Sequence, residues 1–124
     1  MPESARKLFA PAIGETDQTA LLLDAAGAPL AGSYIDARGR DIAGEIGAAL
    51  SGVSKEVSRS MRHLSIGDWK AVVVETDAAI IALAPTPGDS VVLLAASSTV
   101  PLGLVRRVLS RSVALAINWL EGRA

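Results

Sequence analysis

Apolar positions along this chain repeat with two different periods, and the changes of period divide it into elements. Between Asp41 and Leu64 they recur every third or fourth residue, at Ile42, Ile46, Ala49, Leu50, Val53, Val57, Ser60 and Leu64. That spacing lays one apolar face along a helix. Asp41 stands at the N-cap position, and Glu45 lies in the first turns, where the helix dipole favours an anion. Five shorter apolar runs read as strands: Thr19 to Asp24, Pro29 to Ile35, Trp69 to Thr76, Ala79 to Ala84 and Ser90 to Ser97. The turn Asp24-Ala25-Ala26-Gly27 makes a hairpin of the first two. Short links near Asp77 and over Pro85 to Asp89 make an antiparallel meander of the other three. The strand centres are almost continuously apolar, so both sheet faces should be covered.

Thr99 is placed to cap a final helix with Val100 and Pro101 in its first turn. Leu102, Val105, Leu109, Leu115, Ala116 and Trp119 form its buried stripe, and Arg106, Arg107 and Arg111 its solvated side. At the other end, Glu3 to Ala10 can form a short helix, limited by Pro11 and Gly14. The predicted order is a short α, then β-β-α-β-β-β-α, with no internal repeat and no second domain.

Composition narrows what such a domain can do. With 124 residues, half of them hydrophobic, the chain is not intrinsically disordered. Roughly 6,000 Å² of its surface should stay exposed out of roughly 18,000 Å² in the extended chain. No apolar run approaches the ~18 residues of a membrane span, and Met1 to Ala12 has no secretory apolar stretch. The absence of cysteine removes disulfides and thiolate chemistry and fits a cytoplasmic protein. A net charge of −1 and only four aromatics (Phe9, Tyr34, Trp69, Trp119) argue against nucleic-acid binding. What remains is more hydrophobicity than a small monomer needs, which points to a subunit contact.

The chemistry of enzymes is missing. His63 is the single histidine and sits near the end of the middle helix, where a surface or capping role suffices. Carboxylates at Asp24, Asp36, Asp68, Asp77 and Asp89 fall in loops as turn formers, not as a metal cluster. No glycine-rich loop is followed by Lys-Ser or Lys-Thr. No catalytic residue, cofactor or metal is therefore expected.

In its ordered motifs the chain resembles the roadblock/dynein-light-chain family, specifically its bacterial MglB-type members. The matching stretches are L-L-L-D-A-A-G-A-P-L-A (21–31), R-D-I-A-G-E-I-G-A-A-L (40–50), K-A-V-V-V-E-T (70–76), I-I-A-L-A-P-T-P-G-D-S-V-V-L-L-A (80–95) and P-L-G-L-V-R (101–106). The resemblance implies a profilin-like α/β layered fold, a five-stranded antiparallel sheet between the long middle helix and the terminal helices. It divides the chain into a short N-terminal segment or helix (1–17) and a roadblock domain (18–122). Family members usually begin with a longer helix, so the short start here should leave one sheet face less covered. The resemblance further implies a dimer, of identical chains or with a paralogous roadblock subunit, that regulates or scaffolds a Ras-like small GTPase. MglB-type members stimulate GTP hydrolysis by their partner without supplying an arginine finger. Profilin-like layers also serve as small-ligand sensory modules, and other roadblock proteins as subunits of motor or signalling scaffolds.

Two sets of site residues follow. Gly44, Gly47 and Gly52 each cost the middle helix about 0.5–1 kcal/mol relative to alanine. A close approach by a second copy's helix would offset that cost, as would packing on the chain's own sheet. The expected dimer contact is Ala43, Gly47, Leu50 and Ser54 on the helix, with Ser58 and Met61 continuing the flank. Lys70, Val72 and Val74 on an edge strand complete it. Opposite Ile46, Val53 and Val57, the residues Ser51, Lys55, Arg59 and Arg62 form a basic strip suited to the acidic switch surface of a GTPase. Neither nucleic acid nor membrane is an expected partner.

Overall fold

The computed structural model describes residues 1–123. Its elements are α1 (Glu3–Arg6), α2 (Ala10–Ile13), β1 (Gln18–Leu23), β2 (Pro29–Gly32), α3 (Ala43–Leu64), β3 (Val72–Glu75), β4 (Ala79–Pro85), β5 (Val91–Ser97) and α4 (Leu102–Glu121). The strands form one sheet in the order β2-β1-β5-β4-β3, every pair antiparallel. Helices lie on both faces, in the α+β layering expected from the sequence.

Two hairpin turns share one construction. In Asp24-Ala25-Ala26-Gly27-Ala28 the Asp24 carboxylate accepts from the N–H groups of Ala26 and Ala28, both at 2.9 Å. In Asp36-Ala37-Arg38-Gly39-Arg40 the Asp36 carboxylate accepts from Arg38 and Arg40 in the same way, again at 2.9 Å. The side chain thus does the work of a backbone turn, which fixes both hairpins locally. The N–H of Arg40 is the main reason the Asp36 carboxyl is held below its ordinary pKa, with the Arg38 N–H and the Arg40 guanidinium adding to it.

Several element ends differ from expectation, each for a local reason. β2 stops at Gly32, whose φ of +86° leaves the extended region, and a single bridge between Ile35 and Asp41 replaces the end of the predicted strand. α3 starts at Ala43 with Ile42, not Asp41, at its N-cap; the Asp41 carboxylate, one residue earlier, accepts from Ala43 N (3.1 Å) and ties in the preceding loop by accepting from Tyr34 N (3.2 Å). α4 starts after Pro101, whose carbonyl accepts from Leu104 and Val105 at 3.0 and 3.1 Å. Thr99 is not its cap; its hydroxyl pairs with that of Ser97 at 3.1 Å. Near the N-terminus Pro11 lies in the first turn of α2, so the expected single helix becomes two short ones.

Alternation along the strands divides the core in two. Ala20, Leu22, Ala82, Ala84, Val92 and Leu94 face α4 and the N-terminal helices. Leu21, Leu23, Leu83, Leu93 and Ala95 face α3. The short N-terminal segment does not leave its face open. Phe9 is 2% exposed, and Ala5 and Ala12 are buried beside it. The looser face is the other one: of all the residues of α3, only Ala43 and Gly47 are buried.

Ser112 of α4 is fully buried and its hydroxyl has no partner. An unsatisfied buried hydroxyl costs about 1–3 kcal/mol, and serine is also a poorer helix former than alanine. Ser112→Ala should therefore raise stability by about 1–2 kcal/mol in urea titration. A loss would mean that the hydroxyl is bonded.

Candidate functional site

The residues expected at a helix–helix contact turn inward. At Gly47 an added Cβ would lie 2.0 Å from the carbonyl oxygen of Gly27 and 3.0 Å from Leu23 Cδ2. The glycine exists because the β1–β2 turn runs directly against α3 within the chain. Ala43, 5% exposed, and Leu50, half-buried against the sheet, belong to the same inner stripe. Within the chain, Ala43, Gly47 and Leu50 thus pack on its own hairpin and sheet. The glycines and alanines of α3 that remain outside are Gly44, Ala48, Ala49 (expected on the apolar face) and Gly52, and a Cβ at either glycine would meet open space.

Ser58 is also engaged internally, accepting from Trp69 Nε1 at 2.8 Å. This bond holds the Trp69 ring under the C-terminal half of α3. Beyond it the chain reaches β3, whose outer side pairs with no strand among the described residues. Lys70 is exposed, Val72 half-buried against the core, and Val74 44% exposed. Leu64, the last residue of α3, and Ile66, in the connection before β3, are 57% and 67% exposed. Exposed apolar side chains thus include Val74 on this edge, while Ile35, 54% exposed, follows β2 at the other edge.

Three of the four residues of the basic strip share a surface. Lys55, Arg59 and Arg62 are exposed on α3. Ser51 is set apart from them, half-buried toward the hairpin, with its Cβ within 2.8 Å of where a Gly27 side chain would start. Arg59 pairs with Glu56, Nε donating to Oε2 at 3.1 Å, which lowers the Glu56 pKa and raises that of Arg59. So exposed a pair adds little stability. Lys55 and Arg62 have no carboxylate within 4.0 Å among the described residues.

These three cations border an open cleft of about 1000 Å³. Its α3 wall carries Ser54, Ser58 and Met61, its opposite wall is the β4–β5 connection from Pro85 to Ser90, and Trp69 closes one end. Thr86 and Ser90, in that connection, are 8% and 7% exposed, and the Thr86 hydroxyl has no partner. Sequence reasoning missed this wall. Pro85-Thr86-Pro87-Gly88-Asp89 reads as a turn and nothing more, and only the fold brings it opposite residues that lie about thirty positions earlier in the chain.

Among the described residues no three His, Cys, Asp or Glu side chains are grouped to hold a metal, and no helix is long and apolar enough to cross a membrane. His63 is exposed.

No protein-family model matches the sequence, and no curated protein matches it significantly. Solved structures do match. A roadblock/LC7 domain from Streptomyces avermitilis superposes with a TM-score of 0.78 over 94% of this chain and 97% of that one, at 18% identity. The fold is that of the roadblock domain. An MglB described as having a tetrameric arrangement gives a TM-score of 0.82 over 98% of this chain and 91% of its own, also at 18% identity. The gliding protein MglB from Thermus thermophilus gives 0.76 over 94% and 87%, at 19%. The roadblock layers of all three thus extend over almost the whole of this chain.

Proposed function

We propose that this protein is a non-enzymatic, cytoplasmic regulator of a Ras-like small GTPase, acting as a dimer. The reading is carried by one observation: a roadblock fold that presents three exposed cations of α3, two of them unpaired, beside an open sheet edge. Similarity to MglB structures supports the GTPase as partner, and the absence of any phosphate-binding loop leaves the nucleotide to that partner. A basic strip steers association with an acidic surface and is weakened by salt.

Dimerisation is supported by surface area. The chain exposes 7304 Å², whereas a compact monomer of this size exposes about 6,200 Å². The excess, on the order of 1,000 Å², is what one partner of a standard interface covers. The dimer contact that fits is the open edge of β3 with Lys70 and Val74. Ser54, half-buried at the cleft, is left to the partner surface.

The test is a binding titration against the small GTPases of the source cell, each loaded with GDP or a GTP analogue. Arg59→Glu combined with Arg62→Glu should weaken binding at least tenfold at low salt and leave the mass of the assembly unchanged. Unaltered affinity would reduce the strip to solvation. If no GTPase binds in either nucleotide state, the functional reading fails.

A further inference from the structure

The cleft beside α3 is more specific than a charged face, and its walls differ in kind. One carries Lys55, Arg59 and Arg62 along its rim. The other is the β4–β5 connection, where Thr86 is buried and Asp89 exposed. Trp69 is fixed at one end by its bond to Ser58, and Ala25 of the β1–β2 turn is exposed at the border. No small enclosed cavity results; the space is a trough along the helix.

We propose that this trough binds an extended acidic segment of the protein partner, an inference that rests on reading the basic strip as the partner surface. Spacing supports the extended form. Lys55 and Arg59 are four residues apart and Arg59 and Arg62 three, rises of about 6 and 4.5 Å along the helix. Alternate residues on one face of an extended strand stand about 6.6–6.8 Å apart. The three cations thus span about 10.5 Å, against about 13 Å for three alternate strand positions, a difference that the long lysine and arginine side chains take up. The carboxylate of Asp89 repels acids from the opposite wall. It sets which way the segment faces, so the charged side chains turn toward α3. Asp89 itself sits at φ +64°, a conformation that asparagine also tolerates.

The probe is a fluorescently labelled decapeptide of alternating glutamate and threonine, with alternating lysine and threonine as control, followed by anisotropy. The acidic peptide should bind at 50 mM salt and lose at least tenfold in affinity by 300 mM. Lys55→Glu with Arg62→Glu should weaken it at least tenfold. Asp89→Asn should tighten it two- to threefold, a change of opposite sign that no loss of folding produces. Ala25→Trp, placed in an exposed turn position, should block the trough while leaving every cation in place. Equal binding of the basic control, an unchanged affinity in Ala25→Trp, or displacement by inorganic pyrophosphate at equal concentration would each overturn the proposal, the last by making the trough a simple oxyanion site. Its failure is separable from that of the function proposed above. A GTPase that still binds Ala25→Trp but not the Arg59/Arg62 reversal would refute the trough and keep the strip.

Discussion

Gly47→Ala should destabilise the protein by about 3 kcal/mol, while the same change five residues later, Gly52→Ala, should stabilise it by about 0.5–1 kcal/mol. Both glycines lie inside α3, where propensity alone favours alanine. The difference comes from what each Cβ meets. At Gly52 there is nothing within 4 Å, so alanine gains its full helical advantage. At Gly47 the new atom would sit 2.0 Å from Gly27 O, a backbone oxygen that cannot swing away like a side chain. Gly27 is held in turn by the Asp24 carboxylate, which accepts from both of its neighbours, Ala26 and Ala28. Relief requires α3 and the hairpin to move apart, opening the core at Leu23 and Leu50. Overpacking of that kind costs about 1–3 kcal/mol or more, and against a fixed backbone oxygen the upper end applies and outweighs the helical gain. For a domain of this size the loss corresponds to a fall in Tm on the order of 10 °C. Thermal unfolding of the two variants beside the wild type decides the matter. If Gly47→Ala melts with the wild type, the hairpin yields and the close approach is not a constraint.

The same residue marks the limit of what the sequence reveals. Period-two and period-four patterns locate the sheet and both long helices because burial acts on each element separately. An approach between a helix and a turn twenty residues away leaves no periodic trace. A glycine reports that something comes close, not what does. Hence Gly47 suits a neighbouring subunit as well as a hairpin until the fold is known, and a bulky side chain there would break the monomer before it tested a dimer. Element ends fail for a related reason. Thr99 and Asp41 both have the chemistry of a cap, but Pro101 has a fixed φ and Asp41 is shared with Tyr34, so each helix begins later.

Of the candidate site, the cations were legible and the cleft was not. Lys55, Arg59 and Arg62 fall on one side of a helix by arithmetic alone. Their opposite wall depends on the β4–β5 turn folding over the end of the sheet, a tertiary fact. Ser51 fits the helical wheel as well as they do, yet it is drawn toward Gly27 because the hairpin presses on that turn of α3. The short N-terminal segment misleads in the other direction. Its length suggests poor coverage, but one large side chain, Phe9, placed by two short helices, fills the space that a longer helix would cover.

Val74→Lys should convert a dimer into a monomer with little change in the stability of the fold. β3 bonds to β4 on one side only, through the register Val72↔Leu83 to Glu75↔Ile80. An apolar edge without proline or inward-pointing charge is one that folded proteins pair or cover. Pairing it with its copy about a two-fold axis would continue the sheet across two subunits and bury at least ~1,200 Å² in total. Leu64, at the end of α3, and Ile66, in the connection leading to β3, add exposed apolar surface to this region of the chain. Val74 is the right position to test because it is 44% exposed in the monomer, whereas Val72 packs into the core and its replacement by proline would damage the fold as well. Across a two-fold axis each new lysine faces its own copy or a near neighbour, and two ammonium groups buried at one contact repel strongly. Light scattering at tens of micromolar should give a wild-type mass near two chains and a Val74→Lys mass near one, with melting temperatures that converge on dilution. A wild-type mass of one chain would remove the dimer and leave Val74, Leu64 and Ile66 to a different protein partner.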